Sequence, residues 1–398
     1  MTFKPTSMFS KLPLLLLLPC VVGAPSAPVC AQNATAPDAK PLTDIQKRDL
    51  FVREFAAKAK SEAAAAVADG RAFLAAHPQL PPWERLVVYE RMGHHLYFGG
   101  PKNAALALEV LDEGLREYPR TEQRLLLAAK KAEVLVAEER LSEAQTMLQE
   151  LWPVALKGDR RWIHELFSPY ATLLRKQKKY DDLAALLIGL IEARPEVLHW
   201  FQTENDRRWY WQHRFVPNYA HLLVDALLAA ERPDEALRWA KLTYLFSEFR
   251  DDHLGQATAL LGRAWMSQEM SRVKLEAFVK AQSDPQATNP LREVTTPKWD
   301  KTVLSDRLAH ARLEGGERLT LLLLRGDEAD WREAMLQARR LVLEDPTGEK
   351  GRQGAREVAR VFKARDLHLV RANQFLEFFR TGEGQNPIAA FLQPQPTP

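Results

Sequence analysis

A proline that recurs at a fixed distance behind two slim apolar residues constrains this chain more than any other feature. Ala107, Leu111 and Pro119 share one layout with Leu183, Leu187 and Pro195, and with Ala334, Ala338 and Pro346. In each, the second apolar residue follows four after the first and the proline twelve after it. Residues four apart lie on one face of a helix, and proline ends a helix because it lacks the amide proton and clashes with the preceding turn. The surrounding text repeats too. KKYDDLAALLIGLIEARP at 178–195 stands beside ADWREAMLQARRLVLEDP at 329–346, each with an aromatic, Tyr180 or Trp331, near the start of the helix. A unit repeated in this way buries its apolar face by stacking on its neighbours.

Apolar spacing and turn residues extend the pattern along the chain. Helices are predicted at 84–98 and 104–118, with Gly99-Gly100-Pro101 between them, and at 123–139 and 143–151, where Ser142 and Gln145 suggest a capping box and Pro153 an early end. Further pairs are predicted at 169–178 with 181–193, 218–230 with 234–249, 254–269 with 272–282, 317–325 with 329–344, and 352–364 with 367–380. A single leading helix is predicted near 44–75. That makes an all-α chain of about seven hairpins. Val, Ile and Thr runs at period two are missing, so no strand is predicted. At 398 residues the chain exceeds the roughly 250–300 at which one core stops growing, which a stack of units avoids.

The pairs resemble the tetratricopeptide (TPR) repeat, W-x2-L-G-x2-Y…A-x3-F…P, over residues 82–346. Leu261-Gly262 with Trp265 is similar to its L-G-x2-Y part, and Phe167, Tyr170-Ala171 and Leu174 resemble it with alanine for glycine. Ala132-Leu135 with Ala144-Leu148, and Leu223-Val224-Leu227 with Ala236-Ala240, are weaker copies. The resemblance implies a right-handed α-solenoid over 43–383, with Ala107, Ala144, Ala236, Gly262 and Ala334 at close helix contacts. It also implies a concave wall of first-helix side chains, such as Lys130, Arg175, Asn218 and His221, that grips a protein or peptide.

The ends read differently. Lys4 and Lys11, an apolar stretch at 12–24, and Val29-Cys30-Ala31 are ordered like a secretory signal peptide, which predicts export to the periplasm or the cell exterior. The stretch is too short and too broken by Pro13 and Pro19 for a membrane span, so no membrane span is expected once residues 1–31 are removed. Both cysteines, Cys20 and Cys30, fall in that region. Residues 32–42 read as a flexible leader and 384–398 as a proline-bearing tail. The formal charge of +3 is small against 55 basic and 52 acidic residues mixed throughout, which is a solvated helical surface and not a nucleic-acid footprint.

Candidate binding residues cluster where a repeat needs only a short turn: Trp200, Arg207, Arg208, Trp209, Tyr210, Trp211, His213 and Arg214, with His221 beyond. Aromatic rings beside arginines stack on a sugar, a peptide side chain or a base, or else plug the joint between units. They motivate a second reading, a glycan-binding or glycan-processing repeat protein. His94 and His95 are adjacent, diverge by about 100° on a helix, and are expected to place one ring inside and one outside. His164-Glu165 starts like a zinc-protease helix but meets Ser168 where the second histidine belongs. Asp251-Asp252-His253 reads as a helix cap. No phosphate loop, serine elbow or cysteine pair occurs, so neither cofactor, metal nor catalysis is expected.

Overall fold

The computed structural model describes residues 43–100, 102–119, 124–198, 219–246, 259–265, 271–281, 284, 287–313, 315–364 and 381. Among them the chain is helical with no strand. The helices are α1 (Asp44–Lys58), α2 (Ala63–Ala76), α3 (Pro82–Tyr97), α4 (Ala104–Glu117), α5 (Arg124–Ala137), α6 (Leu141–Lys157), α7 (Arg160–Lys176) and α8 (Tyr180–Ala193). After a 3-10 turn at Pro195–Leu198 come α9 (Tyr219–Ala229), α10 (Pro233–Phe246), α11 (259–265) and α12 (Ser271–Ala281). A second 3-10 turn at Pro290–Glu293 leads to α13 (Lys301–His310), α14 (Gly315–Arg325), α15 (Glu328–Glu344) and α16 (Glu349–Ala364). None of these is long and apolar enough to cross a membrane.

A repeated turn joins successive helices. Non-glycine residues with positive φ occur at Lys102, Glu139, Lys178 and Glu231, and Gly326 also has φ of +70°. Each stands two residues before an even-numbered helix or, for Gly326, before α15. At three of them the hydrogen bonds are the same. Arg140, Lys179 and Arg232 donate their backbone N–H to Leu135, Leu174 and Leu227, while Glu139, Lys178 and Glu231 donate to Val136, Arg175 and Leu228. This double bond is the Schellman ending, which satisfies the last carbonyls of the helix and reverses the chain. The turn also corrects the expected capping at Ser142. Glu139-Arg140 has already reversed the chain, so α6 begins at Leu141 with Arg140 as its cap residue and Ser142 inside the helix.

Packing follows the slim positions. Ala107 with Leu111, Ala144 with Leu148, Leu183 with Leu187, Ala236 with Ala240, and Ala334 with Ala338 are all buried, on α4, α6, α8, α10 and α15. The trailing prolines vary: Pro195 is buried, while Pro119 and Pro346 are exposed. From α1 to α10 each helix touches its successor. In addition α1 touches α3, α3 touches α5, and α5 touches α7.

Several sequence-based expectations are corrected. The leading segment is two helices, α1 and α2. α6 continues through Pro153 and α7 through Pro169. Interior proline costs about 3 kcal/mol, but buried neighbours on both sides, Trp152 with Ala155 and Phe167 with Tyr170, favour continuing the helix. Among the described residues Gly262 is not at a close contact, since the nearest that a β-carbon there would meet is Leu275 at 3.9 Å. Tight approaches between helices lie instead at Gly70, Gly93, Gly114 and Gly354. α13 and the 290–293 turn occupy a stretch for which no helix was predicted. Residues 1–42 and 382–398, and the second helix expected at 367–380, lie outside the described residues.

The later helices do not only extend the series. α14 packs on the 195–198 turn, and α16 packs on both α10 and α14. Arg160 of α7 pairs with buried Glu317 of α14 at 3.3 Å. Glu196, 1 % exposed, takes Arg194 at 2.7 Å and also Arg307 of α13.

Candidate functional site

Charges that sit in the middle of apolar runs gather on α3, α5 and α7, three odd-numbered helices that touch one another. Glu90 lies between Tyr89 and Met92, and Glu165 between Ile163 and Leu166. Helical spacing places Trp83, Val87, Glu90, His94 and Phe98 on one stripe of α3. It does the same for Lys130 and Glu133 on α5, and for Arg161, Glu165, Ser168 and Thr172 on α7.

Lys130 is the hub. Its ammonium lies 2.6 Å from Glu133 and 3.7 Å from Glu90, and 5.4 Å from the centre of the Phe98 ring. Arg91 also reaches Glu90, at 3.4 Å. Glu165 has no hydrogen bond or ion pair among the described residues. Burial pushes its carboxyl up to about 7; Lys130 and Arg161 act against this, and Glu90 and Glu133 reinforce it. A carboxyl held near neutrality beside already paired acids binds a proton readily, and would bind a cation in its place. Along the stripe the Arg161 guanidinium lies 4.1 Å from the Trp83 ring centre and 4.5 Å from that of Trp162, with the two rings 6.2 Å apart. The arrangement offers one aromatic-flanked cation and one unpaired acid to a groove-bound segment.

Lys130 of the sequence-predicted contacts belongs to this cluster, and Arg175 is exposed near the end of α7. His221 is half-buried on α9. Trp200, Arg207, Arg208, Trp209, Tyr210, Trp211, His213, Arg214 and Asn218, like Asp251-Asp252-His253, lie outside the described residues. His94 and His95 are both half-buried, not one inside and one outside, with rings 5.3 Å apart at 81°. His164 is buried, stacked on Tyr219 at 8° and hydrogen-bonded to its hydroxyl. Burial, with Arg160 and Arg194 nearby, pushes this imidazole down to about 3, so it is neutral and structural. No group of three or more metal-binding side chains occurs among the described residues.

Sequence reading missed Glu90, Glu133, Glu165 and Arg161. The available signal was a charged residue flanked on both sides by residues of a buried stripe. That pattern marks a polar group held inside by its neighbours. Compared with protein-family models, curated proteins and solved structures, the chain gives no match.

Proposed function

We propose that this chain is an exported TPR-like α-solenoid that binds a protein or peptide partner along its odd-numbered helices and does no chemistry of its own. One observation carries this reading: α3, α5 and α7 touch in series and share a single charged and aromatic stripe. A face of that kind holds an extended or helical segment by several shallow contacts. The repeated reversals and the buried slim pairs on α4, α6, α8, α10 and α15 support a TPR-like unit. Export rests on the order of charge, apolar stretch and small residues at 1–31.

Photo-cross-linking groups placed one at a time distinguish the faces. Groups at Thr172 and Arg175 of α7 should trap a defined partner in the native compartment, and groups at the exposed Arg116 of α4 and Glu150 of α6 should not. Equal trapping from both sets would refute a partner groove on the odd helices.

A further inference from the structure

The second half of α10 is enclosed on all sides, although Asp234 and Arg238 nearer its start are exposed. From Leu242 to Phe246 every residue is buried, and so are Trp239, Ala240 and Lys241. Part of that cover is a stretch with little regular structure. After the 290–293 turn, residues 294–300 run without helix or strand, crossing from α10 to the end of α8 before α13 begins.

The stretch is held as a bound peptide is held, by its backbone and a few side-chain anchors. The buried Lys241 ammonium donates to the backbone carbonyls of Leu291 at 2.5 Å and Val294 at 2.8 Å. Leu291 is fully buried, and Val294 packs against the same core. Trp299 meets Trp239 edge-to-face, with ring centres 5.9 Å apart at 86°. Its indole N–H points to the carbonyl of Ile191, two residues before the end of α8, at 3.4 Å. A lysine that spends its donors on main-chain carbonyls recognises a peptide backbone whatever its side chains, while the surroundings of Leu291 and Trp299 select sequence.

We propose that the surface made by Trp239, Lys241 and the carbonyl end of α8 is a recognition site for a peptide that makes one 3-10 turn and then runs without regular structure, occupied in cis by residues 289–299. The preferred ligand has an apolar residue, a second one three positions later, and a tryptophan five beyond that. Occupation by the tethered segment ties α13 and α14 back towards α8, because a short tether holds its ligand at roughly millimolar effective concentration. This surface is separate from the odd-helix stripe, so it stands whether or not that stripe binds a partner.

The test uses the full chain and a labelled synthetic peptide of residues 287–300. Wild-type protein should leave the peptide free, because the site is filled. A variant carrying Leu291→Asp and Trp299→Ala, which spoils the tethered segment but keeps the receiving surface, should bind it. Adding Lys241→Met should weaken that binding by about tenfold or more, since two charge-assisted hydrogen bonds are lost while the side-chain stem remains. No binding by the double variant with its helical content intact would overturn the proposal. So would loss of helical content in that variant, which would make the segment part of the core and not a ligand. Hydrogen exchange on wild-type protein gives an independent reading: amides of 291–299 should exchange before those of α10, and exchange together with α10 would also overturn it.

Discussion

Replacing Gly354 and Gly189 by alanine, one at a time, pits helix propensity against packing with the same chemical change. Both lie inside helices, α16 and α8, where glycine costs about 1 kcal/mol relative to alanine. Propensity alone therefore predicts the same gain at both sites. At Gly189 a β-carbon meets nothing within 4 Å, so the gain of about 1 kcal/mol should appear. At Gly354 it would lie 2.6 Å from the Val342 nitrogen and 2.7 Å from the Ala338 carbonyl oxygen, both backbone atoms of α15. Backbone cannot turn aside as a side chain can, so α15 and α16 must separate. Overpacking of this kind costs about 1–3 kcal/mol, which cancels or exceeds the propensity gain. The two variants should differ by about 1–3 kcal/mol, with Gly189→Ala the more stable. Urea unfolding followed by far-ultraviolet circular dichroism measures the difference. Helix pairs can open locally, so hydrogen exchange within α16 should report the Gly354 effect there. Equal stability of the two variants, or a more stable Gly354→Ala, would refute the close approach of α15 and α16.

Glu165 should make stability fall as pH rises. Its folded value, about 7, exceeds the ordinary 4.5, so the folded chain holds the extra proton between these values. The associated stability is complete below about 4.5 and is lost on passing through 7, by at most about 3 kcal/mol. Glu165→Gln should flatten the urea midpoint between pH 5 and pH 8, and an unchanged pH dependence would argue against a buried carboxyl. Glu139→Gly and Glu231→Gly should each stabilise the chain by up to about 1 kcal/mol, because φ near +59° strains a side chain and suits glycine; a lower melting temperature would contradict the left-handed turn. Ala334→Phe should destabilise by about 1–3 kcal/mol, since Ala334 is fully buried on α15. Unchanged melting would place that residue at the surface.

Much of the local architecture was legible because it depends on spacing. Ala107 with Leu111, Leu183 with Leu187, and Ala334 with Ala338 were readable as buried pairs, since a residue four positions on shares a helix face whatever lies across from it. The prolines misled at 153 and 169, where burial outweighs a lost backbone hydrogen bond. Gly262 misled in another way. It fits a motif by its letter, but the need for glycine is created by the opposing backbone, and that need falls at Gly354 against Ala338. The charged cluster was mostly hidden because Glu90, Lys130 and Glu165 are separated by whole helices. Only Lys130 could be picked out, as a polar residue on a first helix.

The sequence by itself determined that the chain is helical, where most helices run, and which faces turn inward, because these follow from periodicity and from residues that start or stop a helix. Tertiary structure decided which charges meet across helices, as when Lys130 of α5 reaches Glu90 of α3. It also decided that residues 289–299 lie across α10 under the grip of Lys241, and that Arg307 reaches back to Glu196. Those contacts join residues far apart in the chain, and no local spacing encodes them. They form because a buried charge must find a partner among whatever groups the folded helices bring beside it.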